Sequence, residues 1–185
     1  MQFSILRETL LKLLRLVSGA VDRRQLQNPI LSNVLLNATD GWLSITATDQ
    51  DVELIAREQT PGIVLPGKIT TSFRKLNDIC KALPDGAELR IEKQDDRMLI
   101  KAGRSRFVLA TLPAENFPDV QQLSKDKAIC VFSVSKKQFA WLVSRTAFAM
   151  AEQDVRYFLN GMLLEVKQDK LISVAADGHR LAMNY

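Results

Sequence analysis

Residues 7–17 have the sequence Arg-Glu-Thr-Leu-Leu-Lys-Leu-Leu-Arg-Leu-Val, and the pattern around this stretch decides the fold. Its apolar side chains recur at helical spacing, at Leu10, Leu13, Leu14 and Val17. Such spacing predicts an amphipathic helix with one face against a core. The run Phe3-Ser4-Ile5-Leu6, which precedes the helix, alternates as a strand does.

Three alternating runs follow this helix and predict three strands. They are Val34 to Ala38, Leu43 to Thr48, and Val52 to Arg57. Asp40-Gly41 supplies a two-residue hairpin turn between the first two runs. The first sixty residues therefore predict a β-α-β-β-β repeat.

The same order then recurs. Ile63-Val64-Leu65 predicts a strand and residues 68–83 a helix, with Leu76, Ile79, Cys80 and Leu83 on its apolar side. Three more predicted strands follow, at Glu88 to Glu92, Met98 to Ala102 and Arg106 to Ala110. If two repeats pack together, each covers the apolar sheet face of the other, and residues 1–120 form one complete domain.

A third repeat begins after the polar stretch from Gln121 to Ala128, which predicts a domain boundary. Its predicted elements are a strand at Val131 to Val134, a helix at 136–146, and strands at Phe158 to Val166, Leu171 to Ala176 and His179 to Tyr185. The helix carries a capping box, Ser135 with Gln138, and an apolar stripe of Phe139, Leu142, Val143 and Thr146. Because residues 129–185 hold one repeat, they predict half a domain, and we expect the chain to be a fragment of a longer protein.

Composition narrows the class of protein. Hydrophobic residues make up 46% and charged residues 25% of the 185 residues, as in globular proteins, and no apolar run is long enough to span a bilayer. The first residues lack the pattern of a secretory signal. Cys80 and Cys130 have no CxxC spacing, so they predict buried thiols in the reducing cytoplasm.

Positive charge concentrates on the predicted helices. The three helices carry net charges of +2, +3 and +3, whereas the whole chain carries +4, so the remaining residues sum to −4. A basic outer face on one helix is commonly just a solvated surface. Three basic helices side by side would instead form a surface that attracts a polyanion through its phosphates.

Signals for catalysis are weak. His179 is the single histidine, and no glycine-rich phosphate loop is present. Ser133 with Lys136, like Ser72 with Lys75, has the spacing of an acyl-transfer serine. Two matches in one small protein show that this pattern has little specificity. Asp49 and Asp51 could hold a divalent cation but are more typical of a solvated turn. A cytosolic hydrolase or metal-dependent enzyme built on Asp49 and Asp51 or on Ser133 stays the alternative hypothesis, as does a docking module that never contacts DNA; we expect neither cofactor nor metal.

Five segments resemble one family closely. They are Asp154-Val155-Arg156-Tyr157-Phe158-Leu159-Asn160-Gly161, Ala175-Ala176-Asp177-Gly178-His179-Arg180-Leu181-Ala182, Asn28-Pro29-Ile30-Leu31, Gly103-Arg104-Ser105-Arg106-Phe107 and Asn116-Phe117-Pro118. With them the chain resembles the bacterial sliding clamp, the beta subunit of DNA polymerase III, over its whole length. The resemblance implies the α+β DNA clamp fold: repeated β-α-β-β-β units with helices on one face of antiparallel sheets. Two chains of three such domains would close head to tail into a ring, with helices lining the hole.

The resemblance also implies function and contacts. A ring of this kind encircles duplex DNA, slides without sequence preference and tethers the replicative polymerase, and is not itself an enzyme. DNA contact is expected at Arg24, Gln153, Tyr157 and Phe158, with Lys12, Lys81, Lys137 and Arg145 from the basic helices. Many relatives carry a tyrosine where this chain has Phe158, which keeps an aromatic ring but loses a hydroxyl.

Protein partners are implied in the same way. Half of an apolar pocket for peptides is expected from Leu159, Ala176, Gly178, His179, Arg180 and Leu181, with Ala176 replacing a threonine of some relatives. Its ligands would be the DNA polymerase III alpha subunit, the clamp loader delta subunit and other proteins with a clamp-binding motif. Subunit contact in a homodimer is expected at Lys75, Arg97, Arg104, Arg106 and Phe107. No membrane partner is expected, and the location implied is the cytoplasm.

Overall fold

The structure is a computed structural model that describes residues 1–22, 28–118 and 131–185. The chain divides into two compact units, Met1–Gln121 and Gln122–Tyr185. Within the described ranges, no helix combines the length and apolar character needed to cross a membrane.

The first unit contains two β-α-β-β-β repeats. Its elements in chain order are β1 (Gln2–Leu6), α1 (Arg7–Val17), β2 (Asn33–Thr39), β3 (Trp42–Thr48), β4 (Glu53–Gln59), β5 (Ile63–Leu65), β6 (Gly67–Ser72), α2 (Phe73–Ala82), β7 (Glu88–Gln94), β8 (Arg97–Ala102) and β9 (Ser105–Ala110). Helix α1 has the predicted bounds. The Asp40-Gly41 turn is also confirmed, because both residues have positive φ, 52° and 77°, as a tight hairpin turn requires.

The two repeats exchange their first strands. Strand β1 precedes α1 but pairs with β7, which follows α2; strand β6 precedes α2 but pairs with β2, which follows α1. The pairings are antiparallel and give two sheets, β4-β3-β2-β6 and β5-β1-β7-β8-β9. Neither repeat has a complete sheet without the other, so the pair forms one folding unit.

Helices α1 and α2 cover one core shared by the two sheets. The predicted stripe of α1, Leu10, Leu13, Leu14 and Val17, is fully buried. Leu76 and Cys80 of α2 and its C-terminal cap residue Leu83 join the same core, and Ile79 packs partly against it. Because these faces point inward, the opposite faces of both helices form one solvent-exposed layer, called here the helical layer.

The start of the second predicted helix is wrong. Residues 67–72 form strand β6, and α2 begins at Phe73. Three consecutive β-branched residues, Ile69, Thr70 and Thr71, favour a strand here, and Ile69 lies opposite Leu36 of β2. The Ser72 hydroxyl then accepts the Lys75 N–H at 3.5 Å and caps the helix. Lys68 therefore lies in a strand, and α2 carries a net charge of +2 rather than +3.

The second unit contains a single repeat: α3 (Lys136–Ser144), β10 (Leu163–Lys167), β11 (Lys170–Ala176) and β12 (Leu181–Asn184), with sheet order β10-β11-β12. The capping box is confirmed: Ser135 Oγ accepts the Gln138 N–H at 3.2 Å, and Gln138 Oε1 accepts the Ser135 N–H at 3.2 Å. Helix α3 ends at Ser144, so Arg145 is its C-terminal cap residue.

Three strand predictions in this unit need correction. Residues 131–135 form no strand, so Ser133 does not lie in one either. In the first unit β1 pairs with the other repeat, and residues 131–185 contain only one repeat, which leaves Val131–Val134 without such a partner strand. The strand predicted from Phe158 begins at Leu163, because Tyr157–Asn160 form a 3₁₀ helix. The last strand begins at Leu181 because a turn occupies 177–180.

Few of the described side chains of the second unit, those of residues 131–185, are buried. They are Leu142, Thr146, Ala149, Ser173 and Ala175. Phe139, predicted to face inward, is 39% exposed, because one three-stranded sheet covers only part of the stripe of α3. Phe148, Leu163 and Met183 are each about 60% exposed, so this unit carries apolar side chains on its surface.

Candidate DNA and peptide interface

The loop before β10 is organised by Asp154. Its carboxylate accepts the backbone N–H of Arg156 at 2.8 Å and two guanidinium hydrogen bonds from the same residue, from Nε at 3.0 Å and Nη2 at 2.8 Å. Asn160 closes the loop, since its amide accepts from Asp154 N at 2.9 Å and donates to Asp154 O at 3.0 Å. The residues between them are therefore held in one conformation.

This hydrogen-bond network shifts the pKa values of both Asp154 and Arg156. The hydrogen bonds from the Arg156 side chain and backbone lower the pKa of Asp154 to about 2. The carboxylate in turn raises the pKa of Arg156 above its ordinary value. The pair is thus charged throughout the physiological range, and the guanidinium is fixed in place.

The turn between β11 and β12 is built on Asp177 in a similar way. Oδ1 of Asp177 accepts the backbone N–H groups of His179 and Arg180, both at 2.9 Å, and Oδ2 accepts Arg180 Nε at 2.8 Å. These bonds lower the pKa of Asp177, with the His179 N–H as the largest cause. Gly178 has a φ of 91°, which a residue with a side chain rarely adopts.

The loop and the turn meet at Gly178. A Cβ placed on Gly178 would lie 3.0 Å from Nη2 and 3.3 Å from Nη1 of Arg156. The guanidinium therefore occupies the space beside Gly178 that a side chain would fill. Arg180 extends over the ring of Phe148, with 5.7 Å between the guanidinium carbon and the ring centroid.

A groove of about 580 Å³ runs along this junction. It is lined by Ala147, Phe148, Met150, Ala151, Glu152, Gln153, Asp154, Arg156, Asp177, His179 and Arg180. Gln153, expected at DNA, and His179 and Arg180, expected at peptides, thus share one groove. Sequence reasoning missed the contributions of Phe148, Asp154, Arg156 and Asp177. The Asp154-Val155-Arg156 spacing was the available signal, because a carboxylate two residues before an arginine can accept both its backbone and side-chain donors.

The other residues of the predicted peptide pocket lie nearby in the fold. Ala176 and Leu181 are direct cross-strand partners at the ends of β11 and β12. Leu181 is 69% exposed, whereas Ala176 is half-buried. Leu159 is half-buried in the 3₁₀ helix, and its carbonyl accepts the Ala151 N–H at 3.0 Å. The turn residues Gly178, His179 and Arg180 connect the two strands.

Two adjacent aromatic rings project from the loop. Tyr157 is 83% and Phe158 66% exposed. Their ring centroids lie 6.0 Å apart at an interplanar angle of 78°, an edge-to-face pair. Exposed rings of this kind are able to stack on nucleobases.

The basic residues of the helices differ in their pairing. Lys12 Nζ of α1 forms an ion pair with Glu58 Oε2 of β4 at 2.8 Å. Lys81 of α2 and Lys137 of α3 are exposed, and neither forms an ion pair with a described residue. Arg145 lies over the ring of Trp141 at 5.9 Å. Lys12 and Lys81 both lie on the helical layer of the first unit, whereas Arg145 belongs to the second unit.

With one exception, the residues expected at a subunit contact belong to the β8–β9 hairpin at one side of the five-stranded sheet, with Arg97 at the end of the hairpin opposite Arg104 and Arg106. Strand β9 is the edge of its five-stranded sheet and carries Arg106 and Phe107; Arg104 lies in the turn before it, and Arg97 begins the neighbouring β8. An unpaired strand edge of this kind can accept another strand. The exception, Lys75, is exposed in the first turn of α2.

The alternative catalytic residues adopt ordinary structural roles. Asp49 Oδ1 accepts the N–H groups of Asp51 at 3.1 Å and Val52 at 2.8 Å, which is a side-chain-capped turn. Within residues 1–22, 28–118 and 131–185, no three His, Cys, Asp or Glu side chains gather closely enough to hold a metal ion. Cys80 is a buried free thiol, as predicted, and burial raises its pKa to about 11. Arg24, expected at DNA, and Cys130 lie outside the described residues.

Comparison with known proteins matches both units to one family. Residues 1–121 match the family model for the DNA polymerase III beta subunit, N-terminal domain, and residues 133–185 match that for its central domain. The chain is 52% identical over 183 residues to the beta sliding clamp of Pseudomonas aeruginosa and 45% identical to that of Escherichia coli. Each match covers 99% of this chain and 49% of the relative, so the chain spans about half the length of the curated relatives it matches.

The fold agrees with this assignment. A crystal structure of the DNA polymerase III subunit beta from Pseudomonas aeruginosa superimposes with a TM-score of 0.93 at 52% identity, covering 99% of this chain and 49% of that one. The antiparallel sheets and their covering helices are those of the α+β clamp fold. On sequence and structure together, the chain belongs to the DNA polymerase III beta subunit family.

Proposed function

We propose that this chain forms the first domain, residues 1–120, and the first half of the second domain, residues 129–185, of a DNA sliding clamp. In the complete protein, two subunits would close into a ring around duplex DNA. The ring would tether the replicative DNA polymerase in the cytoplasm without catalysing a reaction itself.

The helical layer is the observation that carries this proposal. Both helices of the first unit lie on one side of their sheets, and each carries a net charge of +2. A positive face of this kind holds DNA through phosphate charge, which is the same at every base pair. The complex therefore slides, because no sequence-specific bond has to break at each step.

The proposed DNA contacts are eight residues. They are Arg24, Gln153, Tyr157 and Phe158, together with Lys12, Lys81 and Lys137 of the helices and Arg145 at the C-terminal end of α3. The exposed rings of Tyr157 and Phe158 support stacking on unpaired bases. The ion pair of Lys12 with Glu58 makes that ammonium the weakest of the proposed contacts.

The proposed subunit contact uses the free edge of β9. Arg97, Arg104, Arg106 and Lys75 would meet acidic groups of the partner subunit, and Phe107 would pack on apolar ones. Arg106 supports this assignment because it lies opposite Lys101 in the sheet. Two like charges facing each other are unfavourable unless a negative group approaches them.

The proposed peptide site consists of Leu159, Ala176, Gly178, His179, Arg180 and Leu181. Its support is the rigid junction of the Asp154 loop with the Asp177 turn, which presents these residues on preorganised backbone. The proposed ligands are peptide segments of the DNA polymerase III alpha subunit, the clamp loader delta subunit and other proteins with a clamp-binding motif.

A chimera tests the proposal. The 183 residues of this chain that align with the Pseudomonas aeruginosa clamp would replace the matching half of that clamp. The chimera would be loaded onto nicked circular DNA by the clamp loader of that organism. We expect it to stay on the circle through gel filtration and to leave when a single cut linearises the DNA. Equal retention on circular and linear DNA, or no loading by a chimera that folds, would contradict a topological clamp.

A matched variant tests the peptide site in the same chimera. Leu159→Ser should weaken binding of a fluorescent clamp-binding peptide at least tenfold, because it removes an apolar contact at the junction. Leu65→Ser, at an exposed position in β5 of the other unit, provides the control. Equal peptide affinity of both variants would remove Leu159 from the site.

A further inference from the structure

The repeats align helix α1 with helix α2 position by position. The core-facing residues correspond in order: Leu10 with Leu76, Leu13 with the partly buried Ile79, Leu14 with Cys80, and Val17 with Leu83. In this register Arg15 of α1 corresponds to Lys81 of α2, and Lys12 corresponds to Asp78. Each helix thus has a cation directly after two adjacent core-facing residues: Arg15 follows Leu13-Leu14 in α1, and Lys81 follows Ile79-Cys80 in α2.

The charged residues at these corresponding positions differ in whether they form ion pairs. Lys12 is neutralised by Glu58 at 2.8 Å, and Asp78 faces Arg74 at 3.9 Å. Arg15 and Lys81 are both exposed, and among the described residues neither has an ion-pair partner. Among the described residues of the two helices, Arg15 and Lys81, together with Lys75 in the first turn of α2, therefore carry the positive charge that no ion pair balances.

Both cations lie on the same helical layer. Helices α1 and α2 pack against each other and run antiparallel, since Arg7 at the start of α1 donates to the carbonyl of Cys80 near the end of α2. Arg15 and Lys81 each occupy the last turns of their helices. They therefore lie towards opposite ends of the layer and are able to contact phosphates at two separate places on a duplex.

We propose that Arg15 is a phosphate-contacting residue of the first domain and acts as the counterpart of Lys81. This inference rests on the proposed clamp function and names a contact within its DNA surface. In the third repeat the corresponding residue is Ser144, so the paired arrangement belongs to the first domain. A guanidinium is well suited to the role because it donates two parallel hydrogen bonds to a phosphate.

A structural role for Arg15 makes a different prediction. A basic residue in the last turn of a helix interacts favourably with the helix dipole. If this were its only role, Arg15→Gln would lower thermal stability slightly and leave DNA binding unchanged. The two roles are separated by measuring binding and melting on the same variants.

The experiment measures binding of the 185-residue chain to a labelled blunt duplex by fluorescence anisotropy between 20 and about 150 mM NaCl, a range in which phosphate contacts dominate salt dependence. Log K falls linearly with log salt, and each lost contact reduces the magnitude of this negative slope by about 0.9. Arg15→Gln should reduce the magnitude of this slope by about 0.9, and Arg15→Gln with Lys81→Gln should reduce it by about 1.8. Arg15→Lys, which keeps the charge, should restore most of the slope.

Arg57→Gln is the matched control. It removes the same charge, but Arg57 follows the buried Ala56 in β4 and lies over Trp42 at 5.6 Å, on the sheet face turned away from the core. We expect its slope to equal that of the wild type. An unchanged slope in Arg15→Gln, or an equal fall in Arg57→Gln, overturns the assignment of Arg15. Absence of salt-dependent binding by the wild-type chain would instead count against the proposed DNA surface as a whole.

Discussion

Single carboxylates determine the local geometry of the candidate site. Asp154 and Asp177 each accept backbone N–H groups two or three residues ahead and hold the guanidinium of a nearby arginine. Bonds of this range depend on local sequence alone. The contact between Arg156 and Gly178 joins residues far apart in sequence, and only folding brings them together.

Acid should release the Asp154 loop. The hydrogen bonds to Asp154 depress its folded-state pKa to about 2, whereas an unfolded aspartate has a pKa of about 3.9. The ionised carboxylate therefore stabilises the loop fully above about pH 3.9, and this stabilisation is lost as the pH falls through 2. We expect carbon-detected NMR to show the Asp154 carboxyl titrating near pH 2, with the amide signals of residues 154–160 changing together with it.

The variant Asp154→Asn tests the cause of this behaviour. It should show the released loop already at pH 7 and no further change of these amide signals between pH 4 and pH 2. A carboxyl midpoint at or above 3.9 in the wild type would show that Arg156 does not hold Asp154 in solution.

At the scale of elements, periodicity predicted most of the first unit. The apolar stripe of α1 gave its bounds because residues 3.6 positions apart must share one buried face. Strand β6 was missed because it leads directly into α2, and two apolar residues, Ile69 and Phe73, fit helical spacing across the junction. Residues 67–72 form a strand because β6 pairs with β2, and this pairing joins segments that are distant in sequence.

Arg7 connects the two helices, and its loss should destabilise the first unit. Its Nε donates to the Cys80 carbonyl at 2.7 Å, its guanidinium pairs with Asp85, and the side chain is 14% exposed. Arg7→Gln should therefore lower the free energy of unfolding by about 1–3 kcal/mol, because a largely buried carbonyl loses a charged donor. Urea unfolding followed by Trp42 fluorescence, in a Trp141→Phe background, measures this change.

Arg74→Gln is the control for this prediction. Arg74 is 91% exposed and its ion pair with Asp78 spans 3.9 Å. Such surface pairs contribute little, so we expect a change within about 0.5 kcal/mol. Equal effects of the two substitutions would mean that Arg7 does not join the helices.

At the scale of the whole molecule, the two units differ in how much core they possess. Among the described residues, the large buried side chains belong overwhelmingly to the first unit, whereas residues 131–185 bury Leu142, Ala149 and Ala175 with two hydroxyl residues. Stability follows apolar area removed from water. The second unit should therefore unfold at a lower urea concentration than the first.

The two tryptophans report this difference, because Trp42 lies in the first unit and Trp141 in the second. Single-tryptophan variants, Trp141→Phe and Trp42→Phe, should give separate urea midpoints, with that of Trp141 lower. A common midpoint with equal slopes would show that the two units unfold as one cooperative body.

The sequence by itself determined the repeat, the bounds of α1, the hairpin at Asp40-Gly41, the cap at Ser135 and the concentration of charge on helices. Each of these depends on neighbours within a few residues, where spacing and side-chain chemistry suffice. The tertiary structure decided the exchange of β1 and β6, the neutralisation of Lys12 by Glu58 and the packing of Arg156 on Gly178. These contacts join residues distant in sequence, so they exist only once the strands have paired and the helices have covered the core.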